Sequence, residues 1–154
     1  MFLPASLPIL RAWVLARGIG PPPLTGYAVT PGLRQEYGDA DLEELEFAAT
    51  ARAARASLRL VPGTEPRRVV VALEVAGAVV RDDLATGAVE IGVPVPWRCV
   101  SCALVDDEDA QAAVARAISA VDAADLGELA AVRLVEQTEG YDLQWFATQE
   151  LTDL

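Results

Sequence analysis

A chain of 154 residues with 53% hydrophobic but only 6% aromatic side chains is long enough to bury about 70% of its unfolded surface in one domain, without metal or disulfide, around a core of Ala, Val and Leu. Its net charge is −11 and its 12 basic residues are all Arg, which disfavours nucleic acid and anionic membrane as partners. There is no His, so His-based triads, His general bases and His metal ligands are excluded, and neither a metal nor a cofactor is expected.

The first twenty residues, MFLPASLPILRAWVLARGIG, are apolar but do not read as a targeting leader. No basic residue precedes the apolar run, Pro4 and Pro8 interrupt it, and Arg11 cuts it short. No other stretch approaches the ~18 to 20 apolar residues of a membrane span, so the expected location is the cytoplasm. Met1 to Pro4 reads as a first strand. Ser6 caps a helix from Leu7 to Arg17 with Leu7, Leu10 and Val14 facing inward, Pro8 tolerated in the first turn and Gly18 ending it. Gly20-Pro21-Pro22-Pro23 is a stiff connector that sets the course of a loop or recruits a partner. Leu24 to Thr30 is the second strand, and Pro31 opens a helical turn carrying Leu33, Arg34 and Tyr37.

Asp39 to Val61 is the longest helical signal, dominated by Ala, Leu, Glu and Arg after an N-capping Asp39. Leu42, Leu45, Ala49, Ala53, Ala56 and Leu60 recur at three- and four-residue steps and define an apolar face to be buried against a sheet. Acidic residues fill its first half. Arg52, Arg55 and Arg59 form a stripe in the second, which suits the helix dipole or, alternatively, an anion.

After a Pro62-Gly63 turn, Arg67 to Val75 is the strongest strand, covered on both faces. Its expected partner is Ala88 to Val95, beyond turn signals at Asp82-Asp83 and Thr86-Gly87. Pro94 and Pro96 indicate a sheet edge or strand switch. Trp97 to Val105 follows as a strand, with Val100, Cys102 and Leu104 on one side and Cys99, Ser101, Ala103 and Val105 on the other. Asp106 to Asp109 supplies an acidic start for a helix with Ala110, Ala113, Val114, Ala117, Ile118 and Val121 on one face. Leu126 to Glu136 fits a helix better than a strand. Tyr141 to Ala147 is the final strand, with Tyr141, Leu143 and Trp145 on one face, and Thr148 caps a last turn, Gln149 to Leu151.

These elements predict one α/β (α+β) domain over residues 1–154: a mixed sheet of about five strands in the order βαβαββαβ, helices mainly on one face, distantly ferredoxin-like. Right-handed crossovers would make the first two strands parallel.

Cys99 and Cys102 form a CxxC, but in a strand such a pair points to opposite faces, which suits structural thiols and not a redox pair or zinc site. The acidic run Asp106 to Asp109 lacks the spacing of a calcium loop. Four strands each end in a capping side chain: Ser6, Thr30, Asp106 and Thr148. If the strands are parallel, these caps line one edge, where open α/β sheets bind ligands, with Arg34, Gln149 and Glu150 nearby. That arrangement would make Ser6, Thr30, Arg34 and Gln149 ligand-binding and Glu150 the one candidate acid or base, acting on an anionic metabolite. That ligand-edge reading is the alternative; the main expectation is a binding or assembly module, a homo-oligomer or a protein's partner, with Trp97, Tyr141, Leu143 and Trp145 at the interface.

Phe2-Leu-Pro-Ala-Ser-Leu-Pro, Ala28-Val-Thr-Pro-Gly-Leu-Arg, Asp41-Leu-Glu-Glu-Leu-Glu-Phe-Ala-Ala, Ala53-Ala-Arg-Ala-Ser-Leu-Arg-Leu, Val93-Pro-Val-Pro with Val105-Asp-Asp, and Trp145-Phe-Ala-Thr-Gln-Glu-Leu together resemble short uncharacterised actinobacterial proteins of unknown function. The resemblance spans nearly the whole chain. It implies a complete domain of a bacterial cytosolic protein and brings no activity with it. The lack of Lys and His beside abundant Ala and Arg is compatible with a high-GC genome.

Overall fold

A computed structural model describes residues 1–154. In chain order the elements are β1 (Phe2–Ala5), α1 (Leu7–Ala16), β2 (Gly18–Ile19), β3 (Leu24–Tyr27), α2 (Pro31–Tyr37), α3 (Leu42–Ser57), β4 (Val69–Leu73), β5 (Val79–Val80), β6 (Ala88–Ile91), β7 (Val95–Pro96), β8 (Val100–Asp106), α4 (Gln111–Asp125), α5 (Leu129–Glu136) and β9 (Leu143–Ala147). A seven-stranded sheet has the order β5-β6-β3-β1-β4-β8-β9, and β2 and β7 make a separate pair. Every neighbouring pair is antiparallel.

The α+β class holds, but strand number, order and direction differ from expectation. The first two long strands are antiparallel, Phe2 facing Tyr27, because α1 does not act as a crossover. The segment Gly18–Pro23 carries the chain back to the edge where β1 ended. It is pinned there by pairing of Ile19 with Val95 and by the Trp13 indole N–H, which donates to the Gly20 carbonyl at 3.0 Å. β6 pairs with β3 and β5, not with β4. β4 instead lies between β1 and β8, and burial on both faces is what its Val-rich sequence reflects. Pairing of β1 with β3 stops after Phe2 and Tyr27. The next β1 residue facing β3 is Pro4, which has no N–H to give.

Alternation divides the sheet into two apolar faces, and helices cover both. Leu3, Ala5, Val69, Val71, Leu73, Ala103 and Val105 pack against Leu7, Leu10, Trp13 and Val14 of α1. On the opposite face Phe2, Tyr27, Val70, Leu104 and Leu143 lie under Ala53 and Ala54 of α3, whose small side chains allow close approach. Each fully buried Val of β4 contributes about 1.5–3 kcal/mol. One residue resets the alternation. Ala72 faces Cys102 but Leu73 faces Val100, so Ser101 is the extra residue of a bulge. Val100 therefore joins Ala103 and Val105 in the α1-side core instead of following Cys102.

The long helix is shorter than its propensity indicates. Gly38, at φ +59°, ends α2, and α3 begins with a capping box: Glu44 N–H donates to Asp41 Oδ1 and Asp41 N–H to Glu44 Oε2, both at 2.9 Å. Asp41 is thus the cap, not Asp39. The buried face is Leu45, Ala48, Ala49, Ala53, Ala54 and Ser57, while Leu42 and Leu60 are 56% and 42% exposed. Ser57 stitches α3 to the sheet. Its hydroxyl donates to the Ala5 carbonyl at 2.8 Å and accepts from Val69 N–H at 3.1 Å. Leu58 and Val61 then join a second core with Val114, Ala117 and Val121 of α4 and Ala131 and Val135 of α5. The helix expected over Leu126 to Glu136 is α5, beginning at Leu129.

Candidate functional site

The strand directions decide where the capping residues go. β1 and β8 run one way and β3 and β9 the other, so Ser6 and Asp106 lie at one edge of the sheet and Thr30 and Thr148 at the opposite edge. β3 and β9 are themselves four places apart in the sheet, roughly 19 Å at the usual strand spacing. Ser6 is thereby separated from Thr30, and Thr30 and Arg34 from Gln149 and Glu150. The parallel arrangement that would align them is absent.

Ser6 and Thr30 cap their helices, whereas Thr148 caps nothing, because the last turn is a 3-10 turn over Leu151–Asp153 that begins at Glu150 without a capping side chain. Ser6 Oγ accepts from Ile9 N–H at 3.5 Å. Thr30 Oγ1 accepts from Leu33 N–H at 3.2 Å and donates to Asp82 Oδ1 at 2.6 Å. Asp82 also accepts from Gly32 N–H at 2.9 Å and Gly87 N–H at 2.7 Å. The Thr30 hydroxyl, then the backbone donors, hold its carboxyl below the ordinary range. Gln149 Oε1 accepts from Thr148 Oγ1 at 3.3 Å, and Glu150 Oε2 from Ala147 N–H at 2.7 Å. Arg34 is exposed on α2.

The arginine stripe is neutralised. Arg52 pairs with Glu36 at 2.7 Å and Arg55 with Asp125 at 2.8 Å, while Arg59 pairs with Asp122 and Asp125. These contacts tie α3 to α2 and α4. The cysteines are free and separate: Cys99 packs against the α1-side core, and Cys102 lies on the other face beside Trp145. Burial pushes the Cys102 thiol up, against an opposing hydrogen bond from Trp145.

Of the aromatic residues expected at an interface, Trp97 is corrected: it is 6% exposed and belongs to the α1-side core. The single 3-10 turn Trp97–Cys99, which replaces the start of the expected strand, directs it inward. Trp145 is 62% exposed, Tyr141 is exposed and Leu143 is half-buried against α3. Leu143 and Trp145 lie on β9, the sheet's last strand, and Tyr141 lies just before it, so the strand expected to start at Tyr141 begins two residues later.

The hydrogen-bonding phase of β9 follows from its neighbours. Asp106 N–H donates across to the Arg68 carbonyl, so Asp106, Leu104 and Cys102 direct their backbone to β4, whereas Val105 and Ala103 direct theirs to Gln144 and Phe146 of β9. Within β9, Leu143, Trp145 and Ala147 consequently direct their backbone away from β8. Ala147 at the end of the strand and Tyr141 just before its start are internally satisfied. Tyr141 N–H donates to the Thr138 carbonyl at 3.2 Å and the Tyr141 carbonyl accepts from Arg68 Nη2 at 3.1 Å. Ala147 N–H donates to Glu150 Oε2 and the Ala147 carbonyl accepts from Glu150 N–H at 2.9 Å. Leu143 and Trp145 have no such partners.

Beside this edge a groove of about 440 Å³ runs between α3 and β9, lined by Phe47, Thr50, Ala51, Leu104, Tyr141 and Leu143. Phe47 is 74% exposed. It escapes the sequence reading because it falls off the apolar stripe of α3, yet a large aromatic on a polar face is itself a signal. Arg68 lines the same groove and Asp106 is its partner. Asp106 therefore belongs to the end of β8 and not to the helix start assigned to it. A shallow depression of about 1120 Å³ rimmed by Asp39, Asp41, Glu43 and Glu44 adjoins this groove, sharing Phe47, Ala51 and Glu139 with it, and a cleft of about 530 Å³ lies apart from both where β1 and β3 part.

No helix is long and apolar enough to cross a membrane. No curated protein and no solved structure shows a match to the chain. A family model matches residues 1–154, end to end, and the chain belongs to that family, DUF6912, a family of unknown function.

Proposed function

We propose that this domain is an assembly module that associates with a second copy of itself through β9. The observation that carries the reading is that β9 is an uncharged, five-residue edge strand, Leu-Gln-Trp-Phe-Ala, with Trp145 62% exposed. Edge strands are ordinarily protected by charge, Pro, brevity or cover. The other edge is so protected: β5 has two residues and is followed by Arg81, paired with Asp83 and Glu90. An open edge beside a groove containing Phe47, Tyr141 and Leu143 has the apolar and aromatic character of an association surface. Sedimentation velocity from micromolar to millimolar chain tests this. A species of twice the 16.3 kDa chain mass, growing with concentration, is expected. A monomer throughout that range overturns the proposal.

A further inference from the structure

We infer that the two β9 strands pair antiparallel in one register, Leu143 opposite the partner's Trp145 and Trp145 opposite the partner's Leu143, with the two-fold axis passing beside Gln144. This rests on the self-association proposed above and adds its geometry. The outward residues of β9 are Leu143, Trp145 and Ala147, with Tyr141 just before the strand, and only Leu143 and Trp145 retain unused backbone groups, since Thr138 and Arg68 occupy Tyr141 and Glu150 occupies Ala147. In the inferred register each open residue meets an open residue, and both pairs exchange both hydrogen bonds. Moving the axis to Trp145 sets Leu143 against the partner's Ala147, already satisfied by Glu150. Moving it to Leu143 sets Trp145 against the partner's Tyr141, already satisfied by Thr138 and Arg68. The backbone thus admits one isologous register and rejects its nearest alternatives.

Side chains agree with this placement. For a chain of net charge −11, a self-pairing edge must keep acids apart. Here Asp142 faces the partner's Phe146 and not another acid. Trp145 falls on the same face as the partner's Leu143, so the groove beside α3 continues across the axis into its copy. Gln144 meets its own counterpart in a non-hydrogen-bonded position, where Cβ atoms stand about 4.5–5.5 Å apart, close to the separation a disulfide spans.

The test is oxidative cross-linking of Gln144→Cys and Asp142→Cys, both made in a Cys99→Ala/Cys102→Ala background whose sedimentation is first matched to the parent. Gln144 and Asp142 are exposed, so neither change disturbs the core. Gln144→Cys is expected to form a covalent dimer at least ten-fold faster than Asp142→Cys, which lies about four residues from its counterpart along the strands. A non-covalent dimer in which Asp142→Cys links as fast, or Gln144→Cys does not link, overturns the register while leaving self-association intact. Absence of any dimer in the parent overturns both.

Discussion

Arg68 and Asp106 form a bidentate ion pair inside the protein, with Nε to Oδ2 at 2.9 Å and Nη2 to Oδ1 at 2.8 Å, and side chains 4% and 0% exposed. Asp106 Oδ2 also accepts Arg68 N–H at 2.7 Å, where β4 enters the sheet. Removing one partner leaves the other charged and buried, so Asp106→Ala is expected to cost about 3–5 kcal/mol in denaturant unfolding, and Arg68→Met/Asp106→Leu far less. A double variant as unstable as the single one would contradict this account.

Asp82 ties α2 to the start of β6 by accepting from Thr30, Gly32 and Gly87. Its folded pKa lies below the ordinary 3.8, so the unfolded chain binds the proton more readily. The stabilisation is present in full above the unfolded value and disappears as pH falls through the folded one. Asp82→Asn should therefore lower the melting temperature at pH 7 and show a shallower decline below pH ~4 than the parent. Parallel acid limbs would remove Asp82 from the explanation.

Gly26 sits where β3 touches β1. A Cβ there would fall 2.8 Å from Leu3 Cδ2 and Met1 Cε and 2.9 Å from the Phe2 carbonyl oxygen. Side-chain tips can move, but the Phe2 carbonyl belongs to the backbone beside the Phe2–Tyr27 pair. Gly26→Ala is expected to destabilise by about 1–3 kcal/mol, and chemical unfolding would measure it. A neutral change would show that the two strands separate freely.

Trp145→Lys is the cheapest perturbation of the proposed interface. A charge replaces a large exposed aromatic without opening the core, so monomer stability should change by no more than about 0.5 kcal/mol. Loss of a central aromatic anchor should weaken dimerisation by about 2 kcal/mol or more, roughly thirty-fold in Kd. Sedimentation equilibrium reads the second effect and dilute thermal melts the first.

Local chemistry was legible before the structure; pairing was not. Ser6 and Thr30 cap the helices assigned to them, and Ala110, Ala113, Val114, Ala117 and Val121 are buried as their spacing requires. Such signals depend on residues a few positions apart. The direction of β3 depends on a contact between Ile19 and Val95, and the sidedness of Val100 on one bulged residue. Nothing near Arg68 in sequence announces Asp106, 38 residues away. Alternation placed Tyr141, Leu143 and Trp145 on one face, but whether that strand is an edge follows only from strand order. Trp97 carried the same aromatic signal and went inside.

The single pair joining β1 to β3 partitions the protein mechanically. On one side of this seam lie β3, β6 and β5, and on the other β1, β4, β8 and β9. The smaller block is tied to the larger by one step of backbone ladder and by side chains such as Ile91 in the α1-side core, and it is expected to open before the larger one does. Native-state hydrogen exchange should accordingly release the Tyr27 amide, at the seam itself, through a partial opening of lower free energy than the one that releases Val70 and Val71. The β9 edge belongs to the larger block, so such opening would leave the proposed association strand in place.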